Sequence, residues 1–157
     1  MAYWNQVTQD DQECSLTYEG ASGGGYNGPG VRVSGNKTNA YGYGAFYAAG
    51  TVYIKKYVNQ AISSGGSALG SFVQTLNAVD ILKIRSTGNR IRTYVNGVLN
   101  DTQTDSDIAS GYIGVLVGDN LGDGSYLLWD NMTGGDALEA EQTDGAILGD
   151  TWDVVNL

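Results

Sequence analysis

The sequence predicts an all-β chain, and three observations predict it. Glycine and tyrosine are heavily used, at 24 and 11 of 157 residues, while proline occurs once. Tyrosine suits a pleated, half-buried surface, and glycine at this density marks many tight turns. From residue 12 onward, short apolar-alternating runs are separated by Gly, Asn, Asp and Ser, the pattern of successive strands. Strands are expected near Gln12–Glu19, Gly30–Ser34, Ala40–Ala48, Thr51–Val58, Ser71–Gln74, Asp80–Arg85, Asn89–Asn96, Val98–Thr102, Gly111–Gly118 and Ser125–Asn131.

Turn chemistry supports three hairpins. Asn96-Gly97 is a type I′ signal, since both central positions need positive φ. Thr87-Gly88 joins Ile81–Arg85 to Arg90–Val95, and Ala49-Gly50 joins two tyrosine-bearing runs. Ser22–Gly30 reads as a glycine-rich loop, and Leu76–Val79 as a single helical turn.

The period of two then assigns faces. Ile91, Thr93 and Val95 share one side, with Arg90, Arg92 and Tyr94 on the other; Ile113, Val115 and Val117 also fall together. Leu82, Ile84, Ile91, Val95, Val115 and Val117 are the expected core. In Tyr41–Tyr47 either the tyrosine row or the row of Gly42, Gly44 and Phe46 could point inward, because a one-residue slip exchanges them.

A chain of this length fits one domain with a sizeable core, and 41% hydrophobic residues can fill it. The formal charge of -9, with eight Lys and Arg, argues against nucleic acid and against anionic membrane surfaces as partners. Cys14 is the single cysteine, so an internal disulfide is excluded, and its alternating position reads as a buried small hydrophobe. Histidine is absent, which removes the usual general base and the commonest transition-metal ligand. No apolar run has transmembrane length, and Ala2–Asp11 is too polar for a signal peptide, so synthesis in the cytosol is expected.

From Asp80 onward the pattern becomes specific. Asp80–Leu99 holds a strand, a turn and an Ile-x-x-Tyr-Val-Asn-Gly segment; Thr104–Gly114 follows with Asp, Ile and Gly at repeating intervals; Leu128-Trp129-Asp130-Asn131 closes the region. These residues, with Ala2-Tyr3-Trp4-Asn5 and Asp11-Gln12-Glu13 upstream, resemble the concanavalin A-like lectin/glucanase group over about residues 2–133. The resemblance implies a two-sheet antiparallel β-sandwich of the jelly-roll kind. It says less about function, because the group includes lectins, hydrolases, adhesins and structural domains.

Members of that group usually open with a further strand, and Gln142–Leu157 resembles it, with Trp152, Val154 and Val155 as its assembly residues. The expected organisation is a sandwich at 1–133, a linker at 134–149 and a C-terminal strand at 150–157. The chain could be circularly permuted, donate its tail to a neighbouring copy, or represent one register of a tandem repeat; the tail could equally be an unrelated linker or docking strand.

Catalysis is not expected. Glucanases of the group carry paired carboxylates on one strand, whereas the four glutamates here are Glu13, Glu19, Glu139 and Glu141, the last two in the expected linker. Sugar binding needs aromatic faces beside amides, carboxylates or Arg, and Tyr43, Arg92, Tyr94 and Trp4 are the candidates. Of two acidic stretches that could hold Ca2+, the glycine-bounded Asp119, Asn120 and Asp123 is preferred to Asp101, Asp105 and Asp107. The expected function is therefore a non-catalytic structural or adhesive module, such as a phage virion surface or decoration protein that self-associates through its C-terminal strand. The alternative is a carbohydrate-binding, lectin-like module with a glycan partner.

Overall fold

A computed structural model describes residues 2–3, 10–22, 26–118 and 126–137. Within them the chain forms β1 (Ala2–Tyr3), β2 (Gln12–Ser22), β3 (Tyr26–Gly35), β4 (Ala40–Ala48), β5 (Thr51–Gln60), β6 (Ser67–Val73), β7 (Ile81–Thr87), β8 (Arg90–Val95), β9 (Val98–Thr104), β10 (Tyr112–Gly118) and β11 (Tyr126–Asp136). Two antiparallel sheets result, one ordered β1-β10-β3-β4-β5-β6 and the other β11-β2-β7-β8-β9. This is the jelly-roll β-sandwich expected from the sequence.

The main core lies between the sheets. Tyr43, Ala45, Tyr47, Val52 and Ile54 from the six-stranded sheet meet Cys14, Tyr18, Leu82, Ile84, Ile91 and Val95 from the five-stranded one. Ile91 and Val95 on β8, with Leu82 and Ile84 on β7, are buried as their alternation required. Trp129 packs on the edge of this core, its ring 5.4 Å from Tyr18 and its Nε1 donating to Asn27 Oδ1 at 2.7 Å.

In β4 the tyrosine row wins the inward position, yet the opposite row is buried too. Phe46 joins Val33, Tyr57, Leu116 and Ile62 in a second apolar cluster on the outer side of the six-stranded sheet. Glycines make room for it: a Cβ on Gly44 would lie 2.4 Å from Phe46 Cε2 and 2.8 Å from Leu116 Cδ1. Ile62 belongs to a single 3-10 turn, Ile62–Ser64, whose first amide donates to Lys37 O at 2.9 Å.

Several expectations need correction. Val115 is half-buried and Val117 is 46% exposed, although both share a parity with buried Ile113. Leu116 takes the buried place instead, on the glycine-lined outer side. β3 starts at Tyr26, inside the expected loop, because Gly28 lies so close to β4 that a Cβ would meet Ala45 O at 1.9 Å. The turn between β7 and β8 is Gly88-Asn89, with Thr87 still in the strand. Leu76–Val79 is not helical; Asn77 and Asp80 close a turn there, with Asp80 N donating to Asn77 O. β11 runs through Gly134, Gly135 and Asp136, opposite Cys14, Glu13 and Gln12, so the strand continues past the expected boundary at 133. Among the described residues no helix is long and apolar enough to cross a membrane, which leaves β-barrels unaddressed.

Candidate functional site

The outer face of the five-stranded sheet is built by the same alternation that builds the core. Leu82, Ile84 and Ile91 turn inward, so Lys83, Arg85, Arg90, Arg92 and Tyr94 must turn outward. Register aligns them into rows. Glu13, Arg85, Arg92 and Thr102 lie directly opposite one another across β2, β7, β8 and β9. The next row holds Ser15, Lys83 and Tyr94, and the row on the other side pairs Thr87 with Arg90 and Thr104. Four of the chain's eight Lys and Arg thus share one side of one hairpin.

Local contacts fix these side chains. Lys83 Nζ sits 4.6 Å over the Tyr94 ring and 3.4 Å from Glu13 Oε2. Arg85, 4% exposed by its side chain, places Nε 4.0 Å from the same carboxylate oxygen. Arg92 Nη1 donates to Thr87 Oγ1 at 3.4 Å, and Arg90 is exposed. Ser15 and Thr133 hydroxyls meet at 2.7 Å beside Lys83's row. The hairpin end is held where Gly88 N donates to Asp11 Oδ1 at 2.7 Å. Like charges directly opposite on a sheet repel, and guanidinium and ammonium groups donate without accepting. The face therefore suits a ligand rich in oxygen acceptors.

Arg92 and Tyr94 come together on this face as the sequence predicts. Tyr94 is 4% exposed and lies under Lys83, so its ring is a floor for an ammonium and not an open stacking platform. Tyr43 is corrected: at 0% exposed it belongs to the inter-sheet core, donating its hydroxyl to Asp105 Oδ1 at 2.6 Å and accepting from Ile108 N at 3.1 Å. Its ring alternates with Gly44 and Phe46, and the inward row was the tyrosine one. Trp4, the Asp119, Asn120 and Asp123 loop, Glu139, Glu141 and the Trp152, Val154 and Val155 strand lie outside the described residues. Lys83 and Arg85 were missed as site residues, though their parity opposite Leu82 and Ile84 pointed to them.

Two other polar centres are structural. Lys56 Nζ lies 2.5 Å from Asp105 Oδ2 and 2.6 Å from Asp107 Oδ2, so an ammonium occupies the less favoured calcium candidate. No group of three metal-ligating residues occurs among the described residues. Arg32, on a β-bulge with φ 53°, is 3% exposed and donates to Asp10 O, Ile108 O and Gly88 O at 2.8–2.9 Å. It walls a cleft of about 240 Å³ with Asp11, Asn89 and Ser106, but its donors are committed to carbonyls.

No protein-family model and no curated protein matches the chain. Solved structures do. The carbohydrate-binding module CBM66 from Bacillus subtilis superposes with a TM-score of 0.62 at 19% identity, covering 85% of this chain and 80% of that one. Sheep galectin-11, solved with glycerol, gives 0.56 at 10% identity over 85% of this chain and 96% of its own. The exoplasmic/lumenal domain of VIP36, in a form bound to Ca2+ and Man3GlcNAc, gives 0.56 at 14% identity over 90% and 77%. The fold is thus a concanavalin A-like, galectin-type jelly roll.

Proposed function

We propose that the chain is a non-catalytic carbohydrate-binding module of lectin type, engaging saccharide through the outer face of its five-stranded sheet. The observation that carries this is the row of Arg85, Arg92 and Thr102, flanked by Lys83, Arg90, Thr87 and Ser15. Charged donors are set there among hydroxyls on a rigid sheet, an arrangement suited to sugar hydroxyls. The structural likeness to a carbohydrate-binding module and to lectins supports the same reading over a virion or self-assembling role.

Absence of catalysis is supported by spacing. Glu13 and Glu19, the glutamates among the described residues, share the outer side of β2 but stand six residues apart, about 20 Å along a strand. Glycosidase carboxylates need roughly 5–10 Å between them.

The test is retention on a panel of immobilised neutral and acidic polysaccharides. Retention is expected for at least one, weakened about tenfold by Arg92→Ala, the effect of losing one charge-assisted contact. Absence of retention throughout, or an Arg92→Ala protein retained like the wild type, removes this reading of the face.

A further inference from the structure

We infer that the ligand of this face is an acidic polysaccharide whose uronate carboxylates seat on Arg90 and Arg92. The inference rests on the carbohydrate reading above and narrows it. In the three rows described, four cations stand against the single carboxylate of Glu13, which lies nearer Lys83 than Arg85. The next carboxylate, Asp11, accepts from Gly88 N and lies 3.7 Å from Arg32. A chain with a net charge of -9 has thus gathered half of its cations onto one hairpin and left the surplus acid elsewhere.

Arg85 and Arg92 face each other directly, an arrangement that repels until an anion lies between or above them. A neutral sugar would leave that repulsion in place, whereas a carboxylate relieves it and matches the planar guanidinium fork. Arg90 and Arg92 project from the same side of β8 about 6.6 Å apart at their backbones, which suits a polymer carrying carboxylates at intervals. Hydroxyls of Thr87, Thr102, Thr104 and Ser15 surround the cations and can meet ring hydroxyls.

Nucleic acid fits less well. Its dense charge would be driven against an acidic body, and single strands stack on aromatic faces, but the Tyr94 ring lies beneath Lys83.

The experiment is affinity electrophoresis of the full chain in gels holding polygalacturonate, its fully methyl-esterified form, a neutral β-glucan, dextran sulfate or single-stranded DNA, each at low and raised salt. Polygalacturonate is expected to retard the protein, the ester at least about tenfold less, with retardation falling as salt screens the contact. Arg90→Gln and Arg92→Gln should each reduce retardation; Arg90 is exposed, so its variant tests the idea without disturbing the fold. Equal binding to the ester, or binding to β-glucan alone, overturns the acidic class and leaves the carbohydrate reading standing. Retardation by none of the saccharides overturns both. Tighter binding to dextran sulfate overturns the carboxylate assignment, stronger retardation by DNA overturns the saccharide, and wild-type behaviour of both variants overturns the face.

Discussion

Lys56 of β5 and Asp105 of the β9–β10 connection pair at 2.5 Å, tying the loop that leaves the five-stranded sheet to the six-stranded one. Asp105 also accepts from Tyr43 Oη and from Asp107 N. Replacing it with Asn removes the charge from three contacts at once. Asp105→Asn is expected to lower unfolding free energy by about 2 kcal/mol, read as a lower urea midpoint with an unchanged slope.

The same pair sets a pH dependence. Burial pushes the Asp105 carboxyl up, but hydrogen bonds from Lys56, Tyr43 and the Asp107 amide outweigh this and hold it below the ordinary 3.8. The unfolded chain takes the proton first, so this stability is complete above about pH 5 and lost as pH falls through the depressed folded value. Lys56 is raised above 10.5 by hydrogen bonds from its ammonium to Asp105 and then Asp107, so its share is complete below that value and lost as pH climbs past the folded one. The stability gap between wild type and Asp105→Asn should be flat across neutral pH and narrow at both extremes.

Tyr43→Phe separates core from ligand face. It removes a buried hydroxyl that bridges Asp105 and Ile108 N, at about 1–2 kcal/mol. Polysaccharide binding by the folded variant should match wild type, measured in the same gels that detect the loss in Arg92→Gln.

Gly44→Ala tests the glycine bed. The added methyl would press on Phe46 and Leu116, both fully buried. A loss of about 1–3 kcal/mol is expected from overpacking, and Phe46→Leu in the same chain should recover part of it. Thermal or urea unfolding of the two variants checks this.

Cys14 should be silent in the native state. Burial pushes its thiol up to about 11, with Sγ donating to Gly114 O at 3.5 Å. Modification by an aromatic disulfide reagent at neutral pH is expected to follow the unfolding rate and to become immediate in denaturant.

Much of this architecture is legible in the chain, for physical reasons that differ by element. Asn96 and Gly97 both take positive φ, 51° and 80°, as do Ala49 and Gly50, so those hairpins follow from local turn chemistry. The parity of β7 and β8 is legible because apolar Leu82, Ile84 and Ile91 alternate with charged residues. In β4 both rows are apolar and both are buried, so alternation carried no information on which faced inward. β3 was misread because glycines that usually break strands here permit close approach to Ala45 and Leu116. Arg92 and Tyr94 were recoverable by period, whereas the shielding of Tyr94 by Lys83 depends on an inter-strand register that no short window of sequence contains.

The pairing of β11 with β2 has a consequence for how the chain reaches this state. β7, β8 and β9 form a meander whose contacts are local, while the Ser15–Thr133 bond spans 118 residues of sequence. β2 lies between β11 and β7, so one of its flanks waits for a partner made near the end of the described chain. Closing that distance must precede the reward of pairing, which places this step late and slow, in the millisecond-to-second range usual for sandwiches with distant pairings. During synthesis the flank of β2 that receives β11 is an open strand edge until residues 126–136 have left the ribosome.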